Sequence, residues 1–162
     1  MEEATHDELA GIVDLFDALT REELEQALVE LAYRGGDDVR EDAVTAAIEE
    51  AVREYYLVEL PADAVGGAVE SDAALIVGPV AFPTLPTEGE DLPHILDVPE
   101  RSVDREVAAE HAAERLRREA ATAVNDGDDE RVAILADATY DVEAWGAVDL
   151  SATRERLFDL AD

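Results

Sequence analysis

The chain has 162 residues, with 42 acidic side chains against 12 basic ones, a formal net charge of -30 and no cysteine. All the basic residues are arginines; lysine is absent. The missing cysteines exclude disulfides, thiol nucleophiles and cysteine-ligated zinc or iron–sulfur centres, and no apolar run approaches the roughly 18 residues of a membrane-spanning helix.

The acids are spread between periodic apolar residues, with 18 in residues 1–60, eight in 61–100 and 16 in 101–162. That distribution is a solvated surface and not a disordered tail. A compact body so charged is comfortable only where the Debye length shrinks to roughly 3 Å, in molar salt. The composition therefore predicts a halophilic, haloarchaeal protein. No charged-then-apolar leader opens the chain, so the cytoplasm is the expected compartment. Of the 48% apolar residues, 29 are alanines against 17 leucines, so the core is thin per residue. One core, or two small packed units, is all that this length supports.

Thr5 followed by Glu8 has the spacing of a capping box, and Leu9, Ile12, Val13 and Phe16 recur at helical intervals. Together they predict a helix over about 6–18. Thr20 with Glu23 repeats the device ahead of Leu24, Ala27, Leu28, Leu31 and Ala32, until Gly35-Gly36 stops the pattern. A third stripe, Val44, Ala47, Ile48, Ala51 and Val52, predicts a helix between Arg40 and Glu54. Tyr55 to Leu60 and Ala73 to Val77 favour a pleated surface and are joined by a polar loop through Pro61, Gly66 and Gly67. Three helices followed by a hairpin with a long tip make residues 1–80 resemble a winged helix-turn-helix unit.

All six prolines fall between 61 and 99, which marks residues 81–102 as a proline-bearing connector. Residues 103–162 read as a helical hairpin and one further helix. The stripe Ala109, Ala112, Ala113, Leu116, Ala120, Ala123 and Val124 is ended by Asn125-Asp126-Gly127. Asp128 or Asp129 can cap the next helix, with Val132, Leu135, Ala136, Thr139 and Tyr140 on its inner face, and Ser151 can cap a last helix carrying Leu157, Phe158 and Leu160. The expected fold class is α+β, mainly α, in a division that leaves room for one continuous domain.

Three metal-competent side chains, Asp91, His94 and Asp97, crowd together in a D-x-x-H-x-x-D spacing that on a helix would place them along one side. Pro93 spoils that helix, because proline is tolerated only in a first turn. The plainer reading is a loop whose Ile95 and Leu96 dock on the core while its acids face solvent, so no metal and no cofactor is expected. His6 and His111 read as helix-surface residues. Ser71, Ser102 and Ser151 lack a nucleophile-elbow setting, and neither glycine pair has the spacing or the lysine of a phosphate cradle.

The helix that would enter a DNA groove carries Glu41, Asp42, Glu49, Glu50 and Glu54 against Arg40 and Arg53, and the hairpin tip has no arginine. Such a surface repels phosphate. Arg101, Arg105, Arg115, Arg117 and Arg118 are interleaved with Glu106, Glu110, Glu114 and Glu119, a pattern of intrahelical ion pairs. Tyr55, Tyr56 and Trp145 are large side chains in a chain poor in them; packing is their usual role, with a partner-binding anchor as the alternative.

Residues 13–34 (VDLFDALTREELEQALVELAYR), 91–106 (DLPHILDVPERSVDRE) and 140–150 (YDVEAWGAVDL) resemble an uncharacterised haloarchaeal family of small acidic proteins. The resemblance covers nearly the whole chain and implies the halophilic source and the single-unit architecture. It carries no functional residues. The expected function is a non-enzymatic interaction or adaptor module with a protein partner. The alternatives are a winged-helix DNA-binding regulator and a small metal-dependent enzyme with its site at 88–97.

Overall fold

Two capping boxes start the chain's order. In the computed structural model, which describes residues 5–36, 40–86 and 88–161, the Thr5 hydroxyl accepts the Glu8 amide at 3.1 Å and the Glu8 carboxylate accepts the Thr5 amide at 3.0 Å. Thr20 and Glu23 make the same reciprocal pair at 3.1 and 2.8 Å. Each pair satisfies two orphan amides of a first helical turn, and the helices α1 (His6–Phe16) and α2 (Arg21–Arg34) follow directly.

Helix α3 (Glu41–Arg53) ends through two bonds, Tyr56 amide to Ala51 carbonyl at 2.9 Å and Tyr55 amide to Val52 carbonyl at 3.2 Å. This is a Schellman ending, with Tyr55 at φ 66° in the position where glycine is usual. A side chain there costs on the order of 1 kcal/mol, offset by burial of the ring, which is 0% exposed. Tyr55 and Tyr56 thus belong to the helix ending, and the strand expected from Tyr55 begins two residues later.

β1 (Leu57–Pro61) and β3 (Ala73–Val77) are antiparallel, with Leu57 opposite Val77 and Pro61 opposite Ala73. On the other side of β3, Leu75 exchanges both backbone bonds with Leu19 of the α1–α2 linker, at 3.0 and 2.6 Å. The hairpin tip is more structured than a loop. A 3-10 turn at Ala62–Ala64 leads into β2 (Val65–Gly66), which pairs antiparallel with β4 (Ser102–Val103) at the end of the connector.

The connector is strapped along α1. The Asp7 carbonyl accepts the Thr84 amide and the Asp7 carboxylate accepts the Phe82 amide, both at 3.0 Å. A Cβ at Gly11 would lie 2.2 Å from the Thr84 carbonyl oxygen, so only glycine permits this approach. A one-turn helix, α4 (Leu92–Ile95), has Pro93 in its first turn and buries Leu92 and Leu96. These close a core that also holds Leu9, Ile12, Val13, Leu24, Leu28, Ile48, Leu57 and Leu75.

Two compact units result, Met1–Val103 and Asp104–Asp162. In the second, α5 (Arg105–Asp126), α6 (Asp129–Trp145) and α7 (Ser151–Ala161) are in mutual contact. Asp104 and Asp128 cap α5 and α6. At α7 the capping acceptor is Asp149, whose carboxylate takes both the amide and the hydroxyl of Ser151; Ser151 itself is the first helical residue and not the cap. Leu157 is buried as expected, whereas the side chain of Leu160 lies outside the described residues. The fold is α+β, mainly α.

Replacing Gly11 by Ala forces a methyl group into the Thr84 backbone and should cost about 1–3 kcal/mol, as overpacking does. Thermal melts of Gly11→Ala should show a clear fall in midpoint, and an unchanged midpoint would mean that the strap can lift from α1.

Candidate functional site

The three metal-competent residues do not form a metal centre. Asp91, His94 and Asp97 are all exposed, and Asp91 instead faces Arg34 of α2 at 3.6 Å. Among the described residues no group of three His, Asp or Glu side chains is placed to hold a metal ion. The reason is the one-turn helix: Leu92 and Leu96 take the inward directions, which turns the intervening polar residues to solvent. His6 packs against the Tyr56 ring at a centroid distance of 4.8 Å and lies 3.8 Å from Glu50.

The concentrated polar chemistry of the first unit lies elsewhere, around Arg101. Its side chain is 1% exposed. Nε donates to the Ala68 carbonyl at 2.9 Å, Nη1 to the Ala18 carbonyl at 3.1 Å, and Nη1 and Nη2 to the two oxygens of Glu23 at 2.5 and 3.1 Å. Glu23 is also the capping-box acceptor of α2. Burial alone would raise its pKa, but the hydrogen bonds from Arg101 and from the Thr20 amide and hydroxyl, with the guanidinium charge, outweigh that and hold it below the ordinary glutamate value. Arg101 was legible only as one of a run of arginines. Nothing in the local pattern marks a partner 78 residues away, although Arg101 does stand just after the arginine-free stretch 61–100.

Of the other arginines, Arg115 makes the intrahelical bond to Glu119 at 2.8 Å, and Glu119 also receives Arg131 of α6 at 3.0 Å. Arg117 donates to the Asp149 carbonyl at 3.1 Å. Arg154 of α7 lies 4.0 Å over the Tyr140 ring, bonds Thr139 at 2.9 Å and pairs with Glu143. These are ties within and between helices and not a phosphate-binding face.

Tyr55 is a core residue and is not available as a partner anchor, because the helix ending turns its ring inward. Tyr56 and Trp145 are half-buried, with the Arg105 guanidinium 5.1 Å from the Trp145 ring. The large apolar side chains that do face solvent are others. Phe82 is 82% exposed and Tyr33 79% exposed, with Val29 one turn before Tyr33 on the outer side of α2. Phe82 sits in the connector, where no periodicity exists to say which way a side chain points.

In the second unit an open depression of about 470 Å³ is lined by Ala121, Thr122, Val124, Asn125 and Arg156. It is large enough for a small molecule, but the lining offers no acid–base pair and no nucleophile beyond one threonine. Asp141 of α6 has its pKa raised, first by burial and then by the like charge of Asp137 one turn away. The exposed Asp149 carboxyl is lowered by the hydroxyl and amide of Ser151. No helix among the described residues is long and apolar enough to cross a membrane.

Glu23→Gln keeps a capping acceptor but removes the counter-charge of a buried guanidinium, and should cost about 3 kcal/mol at neutral pH. Because the folded pKa of Glu23 is below its unfolded value, this contribution is present above the ordinary glutamate pKa and disappears as pH falls through the depressed one. The stability difference between wild type and Glu23→Gln, followed by denaturant titration, should therefore shrink on acidification. Asp141 has the opposite sign: its raised pKa makes the charged form destabilising, so Asp141→Asn should raise the melting temperature at neutral pH, an advantage that fades as pH falls.

No curated protein and no solved structure matches the chain. A family model does match, over residues 7–162. That span is nearly the full length, and the chain belongs to the family of unknown function DUF7109.

Proposed function

We propose that the protein is a non-enzymatic protein-interaction module of a haloarchaeal cytoplasm, working in concentrated salt, and that its first unit is a winged-helix derivative. The helix order, the Leu19–Leu75 bridge and the β1–β3 hairpin support the architectural part. The observation that carries the functional part is Phe82, an aromatic side chain exposed to solvent on a backbone held by Asp7. Its backbone is already held, so docking it against a partner needs little further ordering of the chain, and aromatic anchors dominate binding energy at interfaces. In molar electrolyte charges are screened within roughly 3 Å, which leaves apolar burial as the main source of affinity.

Electrostatics speaks against the DNA-binding alternative. Glu41, Asp42, Glu49 and Glu50 are exposed on α3, and the exposed charges of the tip are Asp63, Glu70 and Asp72. A groove-entering helix and wing need cations for phosphate. The metal-enzyme alternative has no grouped donors among the described residues to rest on.

Phe82→Ala should weaken binding of the partner recovered by the wild-type chain more than tenfold, the loss of about 2 kcal/mol expected of a hot spot, while leaving the melting temperature unchanged. Titration in molar salt measures it, and equal affinities would refute the anchor. Anisotropy of a short labelled DNA duplex should stay flat; saturable binding would restore the regulator reading. The melting temperature should fall as salt is lowered from about 3 M to 0.1 M, a range over which the screening length lengthens several-fold. A constant value would contradict the adaptation to brine.

A further inference from the structure

The hairpin tip is sealed by a short piece of its own chain. Val65 and Gly66 pair with Val103 and Ser102 in a ladder of two residues on each side, too short to be stable by itself. Its neighbours Pro99 and Glu100 are exposed, as is Ser102, and the apolar cluster of the first unit includes no residue from 99–103. Adhesion therefore falls on one side chain, Arg101, through Ala68, Ala18 and Glu23. The fit is close: a Cβ on Gly67 would lie 2.3 Å from the Glu100 carbonyl oxygen.

We propose that residues 100–103 form an intramolecular latch, an autoinhibitory contact that covers the edge of β2 and opens as one local unit when Arg101 loses Glu23, while α1–α3 stay folded. The physical basis is the separation of the two kinds of adhesion. Helices α1–α3 are held by the apolar cluster, which a lost ion pair leaves intact, whereas the latch has a buried charge that cannot remain inside without its partner. Opening uncovers Val65, now 6% exposed, and the Gly66 edge of β2; the Val65 amide keeps its bond to the Ala62 carbonyl within the tip. A bare strand edge accepts an extended peptide by strand addition, so the ligand class of the open state is an extended segment of another chain taking the place of β4. This inference does not depend on the Phe82 anchor.

The test is amide hydrogen exchange on the full chain, with and without a removable staple. A Cβ on Gly66 would lie 3.6 Å from the Ser102 Cβ, inside the disulfide range of about 3.5–4.5 Å, and the chain has no other cysteine to interfere. Arg101→Gln should speed exchange at 66–67 and 101–103 by about a hundredfold, as expected when a buried ion pair is broken. The inner amides of α1 and α2 should change only a few-fold. Adding Gly66→Cys with Ser102→Cys should restore slow exchange when oxidised and lose it again when reduced. Parallel acceleration in α1 and α2, or no acceleration at the tip, overturns the latch. Should Arg101→Gln fail to fold, the staple in the otherwise native chain gives the same contrast. Oxidation must slow the tip amides selectively, and an unchanged rate shows that they exchange only through global unfolding.

Discussion

A buried guanidinium can be kept in a protein only if its donors are used and its charge is met, and at Arg101 both conditions are fulfilled by groups distant in sequence. Ala18 lies in the α1–α2 linker, Glu23 in the first turn of α2, Ala68 in the hairpin tip, and Arg101 itself at the end of the connector. Glu23 serves twice. As the capping-box residue of α2 its carboxylate is already oriented by the Thr20 amide, so the arginine meets a fixed acceptor and little side-chain freedom is lost in forming the pair. The planar fork of arginine matches two carboxylate oxygens and still leaves Nε for a carbonyl, which the compact ammonium of lysine cannot do. The α1–α2 linker, the start of α2, the hairpin tip and the end of the connector all converge on this one geometry.

The same chemistry compensates for a core short of large side chains. Helix α5 buries Ala108, Ala109, Ala112, Ala113, Ala120 and Ala123 with a single leucine, Leu116. Alanine allows helices to approach closely but removes little apolar area from water. Between these helices lie part-buried ties, Arg131 to Glu119 and Arg154 to Glu143 and Thr139, and an exposed one from Arg117 to the Asp149 carbonyl. An arginine so placed can cover apolar surface with its stem while its head finds an acceptor. Several of the described acids are therefore structural partners, and others, such as Glu41, Asp42, Glu49 and Glu50, face solvent.

That division bears on how the many carboxylates are read. Catalytic acids and metal ligands need convergence on a shared cavity, and the acids named above turn instead to solvent, to arginines or to backbone amides. Asp91 is an instance, turned to Arg34 and not toward His94. Where two carboxyls do approach, at Asp137 and Asp141, they lie one turn apart on the same helix face; burial first and then the like charge raise the pKa of Asp141. The unusual exposure is apolar instead, at Phe82 and Tyr33.

Helix positions were legible because their causes are local. Thr5 with Glu8 and Thr20 with Glu23 declare two starts, Gly127 at φ 66° ends α5, and the 3.6-residue period marks the buried side of the helices, though Tyr140, expected on the inner face of α6, is 53% exposed. The docking of Leu96 beside solvent-facing acids was expected, but its inward partner is Leu92 and not Ile95, which stays half-buried outside the apolar cluster. What the tertiary structure decided is every pairing between residues far apart in the chain. Tyr55 reads as the start of a strand because aromatic residues favour pleated surfaces, yet its ring is drawn into the core and it closes a helix instead. Ser102 and Val103 have no alternation long enough to announce a strand; β2 supplies the partner. Arg101 reads as one of several surface cations, because the acceptors that bury it come from three other segments, and no local period records a contact across 78 residues.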